Sequence, residues 1–221
     1  MKLALFDLDN TLLPIDSDHG WSQFLIDTGV LDRQSFESRN NEFYEQYKAG
    51  ILNIYEFLDF QLQPLKNHSR QQLDQWHSQF MDQVIRPNIK QSALDLVSKH
   101  RAAGEICMVI TATNRFITEP IVREFGITEL IATEPEIING EFTGKVCGEP
   151  SFRDGKVTRI AEWMGKRGET WDSFEQITFY SDSINDLPLL EKATHPVAAN
   201  PDEKLLGIAQ ARNWPVLELF A

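Results

Sequence analysis

Leu3-Ala4-Leu5-Phe6-Asp7-Leu8-Asp9-Asn10-Thr11-Leu12-Leu13 is an apolar strand that delivers two carboxylates and a hydroxyl, spaced by two, into a loop. Parallel strands of an open α/β sheet present ligands at their carboxyl ends. A buried strand has no packing reason to finish in two anions, so the placement points to chemistry. A turn and helix cap would account for Asp9 or Asn10, but not for Asp7 directly after Phe6. Phosphoryl chemistry suits the arrangement. The first carboxylate can attack phosphorus and bind Mg²⁺, the second can pass a proton to the leaving oxygen, and the threonine helps to hold the loop.

From about Ser17 to Val84 the pattern is helical, with apolar Trp21, Phe24, Leu25 and Val30, then Phe36, Phe43, Tyr44 and Tyr47, then Tyr55, Phe57, Leu58 and Leu62, then Leu73, Trp76, Phe80 and Val84. Aromatics at helical spacing are more often the core of a small bundle than a cofactor box. Gly29, Gly50 and Pro64 punctuate the segment, and Arg86-Pro87-Asn88 closes it. The residue before proline is expected to leave helical space, and Asn88 to cap the next helix.

From Asn88 an α/β rhythm resumes. A helix runs to Gly104, a strand spans Glu105 to Ile110, and a helix covers about Arg115 to Phe125. A short strand at Leu130 to Ala132 comes next, then a hairpin from Pro135 to Cys147 turning at Asn139-Gly140. A helix around Lys156, a strand at Ile177 to Tyr180, a short helix through Leu189 and Leu190, and a final strand near Pro196 to Ala199 complete the series. The expected fold is α/β: a Rossmann-like, mostly parallel sheet core from residues 1–15 and 87–221, with an inserted helical-bundle cap at 16–86.

The Asp7-Leu8-Asp9-Asn10-Thr11 pattern resembles the D-x-D-x-T signature of the haloacid dehalogenase superfamily, and three further stations appear in the family's order. They are Thr111 after Ile106–Ile110, Lys156 at the start of a helical segment, and Asp182-Ser183-Ile184-Asn185-Asp186 after a strand. One short motif would be weak; four in order are strong. The resemblance implies that Asp7 is a nucleophile forming an aspartyl-phosphate and Asp9 the acid, with Thr111 and Lys156 completing the catalytic set. Mg²⁺ would be held by Asp7, the backbone carbonyl of Asp9 and Asp182. Asp186 would reach the metal's outer shell or orient Lys156. The Thr111 hydroxyl, the Ala112 amide and Asn185 would contact phosphate or substrate. Taken singly, Lys156 could be a solvated helix residue, and Asp182 or Ser183 a helix cap.

An insertion at this place resembles the helical cap of the phosphoserine-phosphatase-like branch. Asp16, nine positions after Asp7, matches the acidic cap residue that contacts the substrate amine there. The stretch Leu52 to Gln61 resembles the cap helix that carries an arginine for the substrate carboxylate, but Gln61 stands in that place. Ala112-Thr113-Asn114 also departs from the branch's glycines. A phosphorylated amino alcohol such as histidinol phosphate is therefore expected ahead of phosphoserine, with Arg39 as another cap arginine able to serve a carboxylate. A phosphotransferase would use the same residues. A non-catalytic phosphate-binding regulator is disfavoured because every station is filled.

The 221-residue chain carries a formal charge of −12, which argues against nucleic-acid or anionic-membrane surfaces. No apolar run approaches the roughly 20 residues of a membrane span, and the start of the chain leaves no room for a signal segment before Asp7. Cys107 and Cys147 lack framework spacing. A cytoplasmic enzyme for a small soluble phosphate ester is expected, with oligomeric state unread. His68, His77 and His100 show no metal-ligand spacing. His19, at the entrance to the insertion, is either a substrate contact or an exposed first-turn residue.

Overall fold

The computed structural model describes residues 1–220, the side chain of Lys48 excepted. Lys2–Phe6 (β1) has its apolar run fully buried, as a strand covered on both faces requires. It pairs in parallel with Ile106–Asn114 (β2) on one side and Gln176–Ser181 (β5) on the other. With Glu129–Ile138 (β3), Glu141–Cys147 (β4), His195–Ala199 (β6) and Val216–Leu217 (β7), the seven-stranded order is β4-β3-β2-β1-β5-β6-β7. Every neighbouring pair is parallel except the β3/β4 hairpin. The carboxyl ends of β1, β2 and β5 therefore lie side by side.

Alternate side chains of β1 face two cores. Ala4 and Phe6 join Val109, Tyr180 and Val197 beneath Gln91–Ala102 (α6) and Arg115–Glu124 (α7). Leu3 and Leu5 join Met108, Ile177 and Phe179 beneath Asp154–Lys166 (α8), Leu187–Leu190 (α9) and Glu203–Arg212 (α10). Between β1 and α6 the described residues form helices: Ser17–Asp27 (α1), Arg33–Ala49 (α2), Ile54–Gln61 (α3), Gln63–Lys66 (α4) and Arg70–Phe80 (α5). Trp21, Phe24, Leu58, Leu73 and Phe80 carry this insertion into the first core.

Local details depart from the sequence reading. Tyr44 and Tyr55 are exposed rather than in the bundle core: among the described residues of α2 the buried stripe is Phe36 and Phe43, packed on Phe60, and α3 buries Leu58 and Gln61 instead. Arg86 stays helical (φ −55°, ψ −40°), between a π-helical turn at Met81–Ile85 and a 3₁₀ turn at Arg86–Asn88. Pro87 sits in the first turn of that 3₁₀ segment, where its missing N–H is no loss. Asn88 donates back to the Val84 carbonyl at 2.8 Å, and Lys90 precedes α6 without a side-chain cap bond.

Strand β2 runs past Ile110 to Asn114 through a register shift against β3. Strand β3 continues unbroken into the hairpin, whose Asn139 (φ 53°) and Gly140 (φ 86°) take the left-handed pair of a type I′ turn. The sheet also does not end at β6, since α10 and β7 come after it. Among the described residues no helix is long and apolar enough to cross a membrane.

Candidate active site

The β1 ladder carries on one residue into the loop: the Asp7 N–H donates to the Tyr180 carbonyl at 2.9 Å. This aims a buried Asp7 side chain at the cluster where β1 and β5 end. Lys156 Nζ lies 3.0 Å from Asp7 Oδ1 and 2.7 Å from Asp186 Oδ2. Lys156 comes from the first turn of α8, and the turn before it is tight: a Cβ on Gly155 would lie 2.1 Å from the Pro150 carbonyl oxygen. Only glycine admits that approach.

Burial is the largest influence on Lys156 and would drive its proton off, but Asp186 and Asp7 outweigh it and hold its pKa above the ordinary value. Asp186 also accepts from the Ser181 hydroxyl at 2.7 Å. The residue expected near the metal is thus engaged with the lysine.

Asp9 stands in a different environment. Its Oδ1 accepts the Ser17 N–H at 2.7 Å and its Oδ2 the Thr113 hydroxyl at 2.8 Å. Burial, then the neighbouring Asp16 charge, pushes its pKa up to about 7. Asp7 is raised by burial to about 6, with Lys156 opposing the rise. Asp182 is pushed well above its usual range by burial and by Asp7. The buried Asp7 and the half-buried Asp182 repel each other, and among the described residues Lys156 is the cation bonded to Asp7. Asn10 accommodates the loop by adopting φ 57°, a conformation asparagine tolerates.

The strand extension places Thr111, 1% exposed, within β2 rather than beyond it. Its hydroxyl accepts the Thr113 N–H at 3.1 Å, which leaves its own hydrogen free to donate. The Ala112 carbonyl is taken by the Thr133 hydroxyl at 2.7 Å.

A model of the haloacid dehalogenase-like hydrolase family matches residues 4–191, a span that takes in Asp7, Asp9, Thr111, Lys156, Asp182 and Asp186. The chain belongs to the haloacid dehalogenase-like hydrolases. It is 46% identical over 217 residues to a histidinol-phosphatase of Neisseria meningitidis serogroup C (strain 8013), covering 98% of each chain. A crystal structure of a protein from Bordetella pertussis Tohama I superposes with a TM-score of 0.94 at 48% identity over 99% of both chains. A substrate-bound phosphoserine phosphatase complex shares the fold, with a TM-score of 0.69 at 18% identity over 98% of this chain and 92% of that one. This hydrolase is a phosphatase.

Other residues of this hydrolase were less visible in its sequence. Arg153 occupies φ 51°, ψ −121° just before α8, a costly conformation for a side-chain-bearing residue. Its Nε donates to Asn185 Oδ1 at 3.0 Å and its Nη2 to the Gly50 carbonyl at 2.9 Å. Tyr47 meets the Ser183 hydroxyl at 2.9 Å, so the end of α2 reaches that loop directly at Tyr47 and through Arg153 at Gly50. Asn200 Nδ2 donates to the carbonyls of Asn10 and Thr11 at 3.1 and 3.3 Å, and Asp202 accepts the Ile184 N–H at 2.9 Å. The only sequence signal for these two is a cluster of turn residues, Asn200-Pro201-Asp202, after a strand.

The cap residues singled out by sequence are differently employed. Asp16 is an exposed N-cap of α1 and lines an outer cleft of ≈ 610 Å³ with His19, Gln23 and Asp27. His19 is exposed, 3.4 Å from Asn40 Nδ2. Gln61 is buried and spoken for: its oxygen accepts from Ser22 at 3.2 Å and its nitrogen donates to Asn40 at 3.1 Å. Arg39 pairs with Glu42 at 2.5 Å and lies 4.4 Å over the Phe43 ring.

Proposed function

We propose that the protein is a Mg²⁺-dependent phosphomonoesterase that hydrolyses a phosphorylated amino alcohol, with histidinol phosphate as the leading candidate, through an aspartyl-phosphate on Asp7. The observation carrying the chemistry is the Lys156 bridge between Asp7 and Asp186, with Asp9 and Asp182 at the same loop ends. The substrate class is supported by the near full-length similarity to a protein named histidinol-phosphatase, and by a Gln61 that is buried, neutral and already paired. A substrate carboxylate would find no charged partner at Gln61.

Asp7 attacks phosphorus, since a carboxylate with a pKa of about 6 is mostly ionised at neutral pH. Asp9, at about 7, holds a proton for the leaving alkoxide and later draws one from water. Thr113 serves Asp9 in both states, because a hydroxyl either donates to the carboxylate or accepts from the acid. Lys156, the Thr111 hydroxyl, the Ala112 amide and Asn185 hold the phosphoryl oxygens, and Asp186 keeps Lys156 in place.

The donor set fits Mg²⁺: Asp7, Asp182 and the Asp9 carbonyl are hard oxygens, and the burial that raises both carboxylates, with the Asp7 charge adding to it at Asp182, is a cost that a cation would relieve. Among the described residues no cluster of three or more His, Cys, Asp or Glu is poised for a metal. When bound, the ion would offset phosphoryl charge and orient the nucleophile. Residues 16–86 act as the cap over the core of 1–15 and 87–221, and the free thiols Cys107 and Cys147 fit a cytoplasmic setting.

Comparing kcat/KM for histidinol phosphate, phosphoserine and a neutral alkyl phosphate with Mg²⁺ tests the reading. Histidinol phosphate is expected to lead by about tenfold or more; phosphoserine as the best substrate would overturn it.

A further inference from the structure

Asp18 sits in the first turn of α1, two residues after the Asp16 cap. Asp16 Oδ1 is occupied by the Asp18 and His19 N–H groups, each at 2.9 Å. Asp18 itself is 8% exposed, and among the described residues no hydrogen bond or ion pair reaches its carboxylate. Burial, then the Asp16 and Asp9 charges, pushes its pKa well above the usual range. An aspartate in the first turn of an exposed helix gains from the helix dipole. A buried one with two acidic neighbours loses more by desolvation and repulsion. Among the described residues no cation or hydrogen-bond donor offsets that loss, which leaves the offset to a group that binds.

Position narrows what it would be. Asp9 is the group proposed to protonate the leaving oxygen, and the Ser17 N–H donates to its Oδ1 at 2.7 Å, which puts the next residue, Asp18, beside it. The Ser17 hydroxyl, fully buried, faces the Asp9 carboxylate yet makes no hydrogen bond of good geometry. One turn further along, the Ser22 hydroxyl is already committed to Gln61. The unsatisfied polar groups of α1 are therefore those beside Asp9.

We propose that Asp18, and not the exposed Asp16, is the specificity residue that reads a positively charged leaving group by pairing its carboxylate with a cationic nitrogen of the substrate alcohol. This rests on the proposed hydrolysis of a phosphorylated amino alcohol and names the residue that selects it. Asp16 contributes the helix cap and a distant field.

The test uses the full chain with Mg²⁺, comparing kcat/KM for histidinol phosphate and 2-aminoethyl phosphate with that for propyl phosphate. In Asp18→Asn the amine-to-alkyl ratio should fall about twentyfold, the worth of one charge-assisted contact, and in Asp16→Asn by less than about threefold. The same ratio in Asp18→Ser guards against an amide variant that does not fold. Inhibition by the free amino alcohol should weaken in step. A wild-type preference for the amines that survives in Asp18→Asn and Asp18→Ser, or that is lost in Asp16→Asn instead, overturns the role of Asp18 and leaves the substrate class standing. Absence of any amine preference in the wild type overturns the substrate class and the assignment together.

Discussion

Thr11 and Asp182, 171 residues apart, hold each other by two hydrogen bonds: the threonine hydroxyl donates to Asp182 Oδ1 at 2.9 Å and accepts the Asp182 N–H at 3.0 Å. This clasp fixes one expected metal ligand to the nucleophile loop. Thr11→Val keeps the volume but strands a buried N–H, at a cost of about 1–3 kcal/mol in stability. Thermal unfolding should show that loss, and the Mg²⁺ concentration for half-maximal activity should rise. An unchanged Mg²⁺ requirement would show that the clasp does not position Asp182 for the metal.

The buried triad Asp7–Lys156–Asp186 predicts unlike outcomes for two similar changes. Asp7→Asn removes the nucleophile while Lys156 keeps Asp186 at 2.7 Å, so turnover should vanish with the fold intact. Asp186→Asn leaves Lys156 and the Ser181 hydroxyl short of a charged partner, and should cost about 3 kcal/mol in stability as well as most of the activity. Circular dichroism melts and a hydrolysis assay on both proteins decide this. Substantial turnover by Asp7→Asn would remove it as nucleophile.

Asp9 as an acid with a pKa of about 7 makes a claim about leaving groups. Alkyl phosphates need its proton, so their kcat/KM should fall as pH rises through about 7, whereas dinitrophenyl phosphate, which needs none, should not show that fall. In Asp9→Asn the alkyl ester should lose about 10²-fold or more relative to the aryl ester. Parallel pH profiles for the two esters would count against the assignment.

The same carboxylates set the stability of the metal-free protein. Asp7 and Asp9 rise from 3.8 to about 6 and about 7 on folding, so the folded state binds their protons more tightly than the unfolded chain does. Their contribution is full below about pH 4 and is lost as pH rises through about 6 to 7. With chelator the Tm should therefore decline between about pH 5 and pH 8, and Mg²⁺ should flatten that decline by binding the ionised form. A chelated protein whose Tm climbs across that interval would contradict the upward shift that burial gives these carboxylates.

The sequence made the sheet legible where its strands were apolar and ended in polar residues, because burial on two faces leaves an unbroken hydrophobic run. Thr111 and Asp182 were therefore picked out after such runs, and Lys156 by its place at the start of a helical segment. The carriers of fine geometry were not: Thr113 bonds Asp9 only because β2 continues past Ile110 with a shift in register, and a run of Thr-Ala-Thr-Asn shows no such shift. Arg153 gave no signal, since a basic residue before a helix is ordinary until its backbone angle and its reach to Gly50 and Asn185 are seen. Tyr44 and Tyr55 were read as core because periodicity cannot tell which apolar residues of a short or mostly polar helix face the bundle.

The central place of β1, between β2 and β5, means that no short contiguous fragment of the chain contains the site. Asp7, Thr111 and Asp182 meet only after strands about 100 and 170 residues distant have docked against one another, the long-separation contacts that form late and slowly. Recovery of hydrolysis after refolding would thus report completion of the whole core, and a nascent chain would stay inert until β5 had left the ribosome.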